Sequence, residues 1–113
     1  MKDVVYARQA LLQLEDAVRL LVERGYFSEE DYAVNYIRDI FRYFALNLPN
    51  LVAHEAPQYF MRYCIHGKKM FYVKYRRSNH TTWYAFFEEM DKAYVIVYLG
   101  NNHLVGHLLP IAL

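Results

Sequence analysis

The sequence has almost no cysteine and no long apolar run. Cys64 is the only cysteine among 113 residues, which excludes an internal disulfide framework and a cluster of thiolate metal ligands. The longest apolar stretch, residues 104–113, is broken by a glycine, a histidine and a proline. It is also shorter than the ~20 residues that a membrane-spanning helix needs. The first residues lead directly into an amphipathic segment and do not have the pattern of a signal peptide. We therefore expect a cytoplasmic protein that makes no membrane contact.

Sequence motifs for several common chemistries are also missing. There is no glycine-rich phosphate loop, no Ser-His-Asp order and no motif around a nucleophile. His103 and His107 have the i, i+4 spacing of two zinc ligands on a helix, but no third ligand accompanies them. The sequence therefore predicts neither a metal site nor a cofactor.

Acidic residues are missing from one long stretch of the chain. The net charge is +1 overall, but residues 1–55 carry −3 and residues 56–113 carry +4. No acidic residue occurs between Glu55 and Glu88, and the basic residues of that stretch are Arg62, Lys68, Lys69, Lys74, Arg76 and Arg77. A stretch of one sign in a nearly neutral protein creates a local positive field.

Aromatic residues are abundant, with twelve tyrosines and seven phenylalanines. Together with the length of the chain, they predict a single domain, residues 1–113, with a true hydrophobic core. This aromatic content is typical of a sheet that is covered on both faces, or of a surface that binds a partner.

Two segments have the pattern of amphipathic helices. The first, residues 7–23, ends before Gly25, which suits the left-handed position after a helix. The second starts at Ser28, a good N-cap that is followed by acidic residues, and ends at Pro49. The connection between them is short, so we expect an antiparallel helix hairpin.

Later segments have the pattern of strands, at residues 58–65, 69–77, 81–88 and 93–99, and residues 4–6 suggest a further short strand. The short connections predict an antiparallel meander. In segment 69–77, residues 71, 73 and 75 should face the helices, while Tyr72, Lys74 and Arg76 face the other way. The last two strands are apolar on both sides, so their second face needs a cover. The predicted class is α+β, with an N-terminal antiparallel helix hairpin packed on a four- to five-stranded, mainly antiparallel sheet.

The basic end of segment 69–77 is the first candidate site. Lys74, Arg76 and Arg77, with His80 in the following turn, can neutralise phosphates, and nearby aromatic rings can stack on unpaired bases. Histidine is the side chain that most often acts as an acid or a base, so His80 is a candidate for that role. The alternative is a solvated strand end beside a turn. Asn101-Asn102-His103 should lie at the same end of the sheet, although Asn-Asn also suits an ordinary turn.

The segments 71–76, 82–87 and 94–99 carry a resemblance to a known family. A basic alternating strand, a turn and two apolar strands after a helix pair resemble the RelE/ParE superfamily of toxin–antitoxin toxins, the plasmid stabilisation type. The resemblance implies a metal-independent endoribonuclease that cuts messenger RNA on the ribosome. It also implies a cognate antitoxin, which would supply the missing cover of the apolar strands in trans.

The resemblance also implies roles for particular residues. Lys74 matches the family's basic strand position, Arg76 follows it on the same face, and His103 lies where some members place a histidine or an arginine, so these three are implied to be catalytic. His80 is added to the predicted catalytic residues because an imidazole can act as an acid or a base. Further residues of the stretch without acids are predicted, from their charge or aromatic ring, to bind RNA: Arg62, Lys69, Arg77 and Tyr72. Two positions depart from the family pattern, because Thr81-Thr82 stands where an arginine is common and the tail lacks a terminal tyrosine. The alternatives are a non-catalytic inhibitor of a protein target such as DNA gyrase, a degenerate member that only binds, or a module that forms a homodimer through its aromatic sheet.

Overall fold

The computed structural model describes residues 2–25 and 27–102. Its helices and strands are, in chain order, β1 (Asp3–Tyr6), α1 (Arg8–Glu23), α2 (Glu30–Asn47), a 3₁₀ helix (Leu48–Asn50), β2 (His54–Glu55), a second 3₁₀ helix (Gln58–Tyr63), β3 (Met70–Arg76), β4 (Thr82–Glu89) and β5 (Ala93–Asn101). This is an α+β fold, as the sequence predicted.

The strands form one mixed five-stranded sheet in the order β1-β5-β4-β3-β2. Neighbouring strands β2 to β5 pair antiparallel, and β1 joins β5 in parallel. The predictions for β3, β4, β5 and the short first strand are confirmed, with ends that differ by one or two residues. The meander is therefore correct from β3 onward, because each connection is too short for any other arrangement.

Helix α1 lies along the edge of the sheet that β1 leaves open. β1 pairs only with the first part of β5, from Ala93 to Ile96. Beyond it, the Gln9 side chain donates to the Val97 carbonyl at 3.0 Å. The Gln13 amide accepts from the Leu99 N–H at 2.9 Å and donates to the Leu99 carbonyl at 3.2 Å. The two glutamines thus replace a neighbouring strand and satisfy the backbone of β5.

The ends of the helices agree only partly with the sequence predictions. Gly25 has a φ of 77° after α1, and its N–H donates to the Val22 carbonyl at 3.1 Å, which confirms its left-handed position. The prediction that Ser28 caps α2 is wrong, because Glu29 occupies the N-cap and no side chain bonds there. Glu30 and Asp31 lie in the first turn, where their charge favours the helix N-terminus without a cap.

The main core lies between the helices and one face of the sheet, which we call the helix face. Its strand residues include Val73, Trp83 and Ala85, and its helix residues include Ile37 and Phe44. The Trp83 indole also donates to the Tyr36 hydroxyl at 3.0 Å. Residues 71, 73 and 75 of β3 all pack in this core, as predicted.

The opposite face of the sheet, which we call the far face, is covered by the second 3₁₀ helix. Phe60 has no exposed surface, and its ring stacks on Phe86 at 4.1 Å between centroids. Tyr63 stacks on Tyr98 at 4.2 Å. The prediction of a strand at 58–65 is therefore wrong, because this segment crosses over the sheet after Pro57 and does not join it. The cover that we expected in trans is supplied here by the chain itself.

Candidate nucleic-acid interface

Lys74 and Arg76 project from β3 on the part of the far face that lies away from Phe60. They alternate with Val73 and Tyr75 of the helix face, and they lie opposite Tyr84 and Thr82 of β4. Both are exposed. Within the described residues, the Lys74 side chain forms no hydrogen bond or ion pair, and the Arg76 side chain donates only to the Ser78 carbonyl, at 3.4 Å. Both charges are thus available to a ligand, and we call this region the basic end.

The turn between β3 and β4 holds His80 beside the basic end. The side chain of Asn102, just after β5, fixes this turn from the neighbouring strand. Its amide nitrogen donates to the His80 carbonyl at 3.1 Å, and its oxygen accepts from the Thr82 N–H at 2.9 Å. The expected meeting of the Asn101-Asn102 segment with His80 is confirmed. His103, the other predicted acid or base, and His107 lie outside the described residues.

Two tyrosines form the floor of the far face beside Lys74. Tyr72 and Tyr84 are only 5% and 3% exposed, and their rings meet edge to face at 5.9 Å. Burial raises the pKa of both phenols, and the proximity of Tyr72 adds to the shift of the pKa of Tyr84. Both therefore remain neutral near pH 7. Tyr72, a predicted RNA contact, is thus mainly a buried support.

His54 is a residue of this face that the sequence analysis missed. It lies on the two-residue strand β2, opposite Tyr72, and its ring stacks on the Tyr72 ring at 5.2 Å with an angle of 28°. So short a strand has no periodicity to detect. The sequence pattern therefore gives no sign of a strand between Pro49 and residue 58.

Arg77 does not join Lys74 and Arg76. Its guanidinium lies on the side of the helix face, where it donates to the Tyr75 hydroxyl at 3.2 Å. It also lies 5.3 Å from the centre of the Tyr36 ring and 3.8 Å from the Asp39 carboxylate. The hydrogen bond to Tyr75 is the main reason that the pKa of Arg77 is raised. Arg77 thus connects β3 to α2 and faces away from the basic end.

The other two predicted RNA contacts are also remote from the basic end. Arg62 lies on the second 3₁₀ helix with its guanidinium 3.9 Å from the centre of the Tyr59 ring. Lys69 precedes β3 at the opposite end of that strand and pairs with Glu55 at 3.2 Å. The structure therefore brings together Lys74, Arg76 and the His80 turn, and it separates them from Arg62, Lys69 and Arg77.

Glu88 is fully buried at the end of the far face opposite to the basic end. Its carboxylate accepts hydrogen bonds from the backbone N–H groups of Ile65, His66 and Lys68, at 2.8 to 3.3 Å. Burial, and to a lesser degree the charge of Glu88, raises the pKa of the nearby Cys64 thiol. Backbone dipoles thus compensate this negative charge locally, and it does not oppose the positive field of Lys74 and Arg76.

The arrangement of Lys74 and Arg76 suits the binding of an anion. In residues 2–25 and 27–102, no group of three or more His, Cys, Asp or Glu side chains could hold a metal ion. None of the helices in that part of the chain is long and apolar enough to cross a membrane.

No family model matches this chain, and neither a curated protein nor a solved structure does.

Proposed function

We propose that the protein is the toxin component of a type II toxin–antitoxin system and acts on RNA through the basic end. One observation supports this proposal above the others. Lys74 and Arg76, which have no acidic partner in the described chain, share one end of the far face with the turn that holds His80. The proposal includes a RelE/ParE-like fold, in which α1 and α2 form the antiparallel helix hairpin.

In the proposed reaction, Lys74 and Arg76 bind the scissile phosphate and stabilise its developing negative charge. The ribose 2′-oxygen forms a bond to phosphorus while the bond from phosphorus to the 5′-oxygen breaks. His80 accepts the proton of the 2′-hydroxyl, and His103 or water donates a proton to the leaving 5′-oxygen. The products are a cyclic phosphate and a free 5′-hydroxyl, and the proposed step uses side chains and water without a metal or cofactor.

The proposed partners are messenger RNA on the ribosome and a cognate antitoxin. Phe60 and Tyr63 already cover much of the far face. An antitoxin would therefore act on the part that remains, which carries Lys74 and Arg76. Acidic residues on the antitoxin would complement these two charges.

RNA binding tests the first half of the proposal. The affinity of purified protein for a labelled single-stranded RNA should fall steeply with salt. The Lys74→Ala/Arg76→Ala double variant should weaken binding and reduce the slope of log affinity against log salt by about 1.4, because two contacts to single-stranded phosphates are lost. Lys68→Ala/Lys92→Ala removes two exposed cations outside the basic end and is the matched control. Equal losses in the two double variants would contradict a specific basic end.

Inducible expression in a bacterial host tests the second half. Growth arrest with new messenger RNA 5′ ends inside translated codons is expected, and His80→Ala should abolish the new ends while RNA binding persists. Growth arrest without cleavage of messenger RNA would contradict the proposed nuclease activity and indicate a protein target such as gyrase. If growth were not arrested, the proposal that the protein is a toxin would be wrong.

A further inference from the structure

We propose that His54 binds an unpaired base by stacking, so that the basic end selects single-stranded over double-stranded RNA. This inference rests on the proposed RNA binding and adds the class of substrate to it. It assigns the two halves of a nucleotide to neighbouring positions, the phosphate to Lys74 and the base to His54.

The register of the sheet brings these two positions together. His54 lies directly across from Tyr72, and Lys74 follows Tyr72 by two residues on the same face of β3. Successive residues on one face of a strand are about 6.6 Å apart. His54 and Lys74 are thus diagonal neighbours across β2 and β3, a separation that long side chains and a nucleotide can span.

Among the described residues, the imidazole of His54 stacks on one ring, that of Tyr72. Its ring rests on Tyr72 at 5.2 Å, and Tyr72 is itself supported by Tyr84 at 5.9 Å and by Phe86 at 5.5 Å. β2 is the last strand of the sheet on this side, and the side chain of His54 is partly exposed. The supported ring can therefore stack a further planar group with little loss of side-chain entropy.

The charges around His54 favour an anionic ligand. Its neighbour Glu55 lies opposite Phe71, whose side chain packs at the helix face, and the Glu55 carboxylate pairs with Lys69 at 3.2 Å. The acid therefore faces away from Lys74 and is already neutralised. A phosphate at Lys74 meets no opposing carboxylate from β2.

Stacking on a side chain requires a base with a free face. In a duplex both faces of each base are covered by its neighbours, so a ring such as that of His54 reaches only unpaired or terminal bases. Lys74 and Arg76 contact phosphates in either form of RNA. Discrimination between the two forms therefore belongs to His54 and not to the cations.

Three single variants distinguish the effect of ring stacking from the effect of a lost charge and from a loss of folding. His54→Ala removes the ring, His54→Phe keeps a ring without its nitrogens, and His66→Ala removes an exposed histidine at the end of the far face near Glu88. The His66 backbone N–H, which bonds Glu88, is unaffected by that change. Circular dichroism melts would establish that each variant is folded.

Fluorescence anisotropy with a labelled single-stranded RNA, and with the same strand annealed to its complement, is the measurement. His54→Ala should weaken single-strand binding about 5- to 150-fold, the effect of losing one base–aromatic stack, and leave duplex binding unchanged. His54→Phe and His66→Ala should both bind the single strand as the wild type does.

The inference and the proposed function can fail separately. If His54→Ala binds both RNA forms as the wild type does, or His54→Phe is as weak as His54→Ala, the stacking role is wrong although Lys74 and Arg76 still account for RNA binding. A wild-type protein that binds neither RNA form would overturn both proposals.

Discussion

Among single residues, Glu88 is the one whose environment differs most from what its type suggests. It has no exposed surface, yet it forms no ion pair with a described cation. A buried carboxylate is stable only if hydrogen bonds replace its hydration. The N–H groups of Ile65, His66 and Lys68 do so, and they also fix the bend at Gly67, whose φ is 67°. Glu88 therefore shapes the connection from the covering 3₁₀ helix to β3.

Replacement of Glu88 by glutamine should lower the free energy of unfolding by on the order of 2 kcal/mol. The reason is that the amide nitrogen cannot accept a hydrogen bond, so at least one of these N–H groups loses its partner. Urea denaturation measures the change. Glu89→Gln, on the next and more exposed residue, should cost less than about 1 kcal/mol. Similar losses in the two variants would show that the buried hydrogen bonds do not stabilise the fold.

The alternation of β3 explains which site residues sequence analysis could predict. Period-two alternation placed Lys74 and Arg76 on the far face, and the structure agrees with it. The same alternation assigns Arg77 to the helix face and separates it from the other two, as the structure does. His54 could not be predicted, because its position depends on a non-local pairing with Tyr72 and not on any local pattern.

At the scale of elements, the segment 58–65 shows why an aromatic segment is hard to assign. Its residues are good strand formers, and local propensity therefore favoured a strand. The structure has a 3₁₀ helix there, and its Phe60 packs in a space on Phe86 of the far face. That space is created by β4 and β5, more than twenty residues later in the chain. Local sequence contains no information about it.

Phe60 anchors this covering helix, and Phe60→Ala should therefore be strongly destabilising. We expect a loss of about 3–5 kcal/mol in the free energy of unfolding, because the change leaves a cavity over Phe86. Denaturant titration followed by circular dichroism is the measurement. Ile65→Ala, in the same connection but at a side chain that is 47% exposed, should change stability by about 0.5 kcal/mol or less. A loss below about 1 kcal/mol for Phe60→Ala would mean that the covering helix is not part of the cooperative fold.

At the scale of the whole molecule, the far face is divided between two environments. One part is buried under the covering helix, where Tyr63 and Tyr98 are partly shielded from water. Burial, together with the neighbouring Tyr63, raises the pKa of Tyr98 to about 12. The other part is open and basic at Lys74 and Arg76. A single sheet face thus contributes both to stability and to the proposed site. Tyr98, on the same face as Lys74 and Arg76, affects how stable the protein is at alkaline pH.

Stability should therefore depend on pH in the alkaline range. Below pH 10 the Tyr98 phenol is protonated in both the folded and unfolded states, so it contributes no pH dependence. As the pH rises from 10.0 toward about 12, the unfolded chain releases this proton first, and the folded state is weakened. For Tyr98 the loss is on the order of 2 kcal/mol.

The comparison of wild type with Tyr98→Phe isolates this contribution, because all other titrating groups are common to both proteins. The free energy of unfolding of Tyr98→Phe should fall less steeply above pH 10, so the difference between the two curves changes there. Tyr32→Phe changes a tyrosine that is 58% exposed and should give a curve parallel to that of the wild type. If the Tyr98→Phe curve were also parallel, the Tyr98 phenol would be as hydrated in the folded protein as in the unfolded chain, and Tyr63 could not cover it as the structure describes.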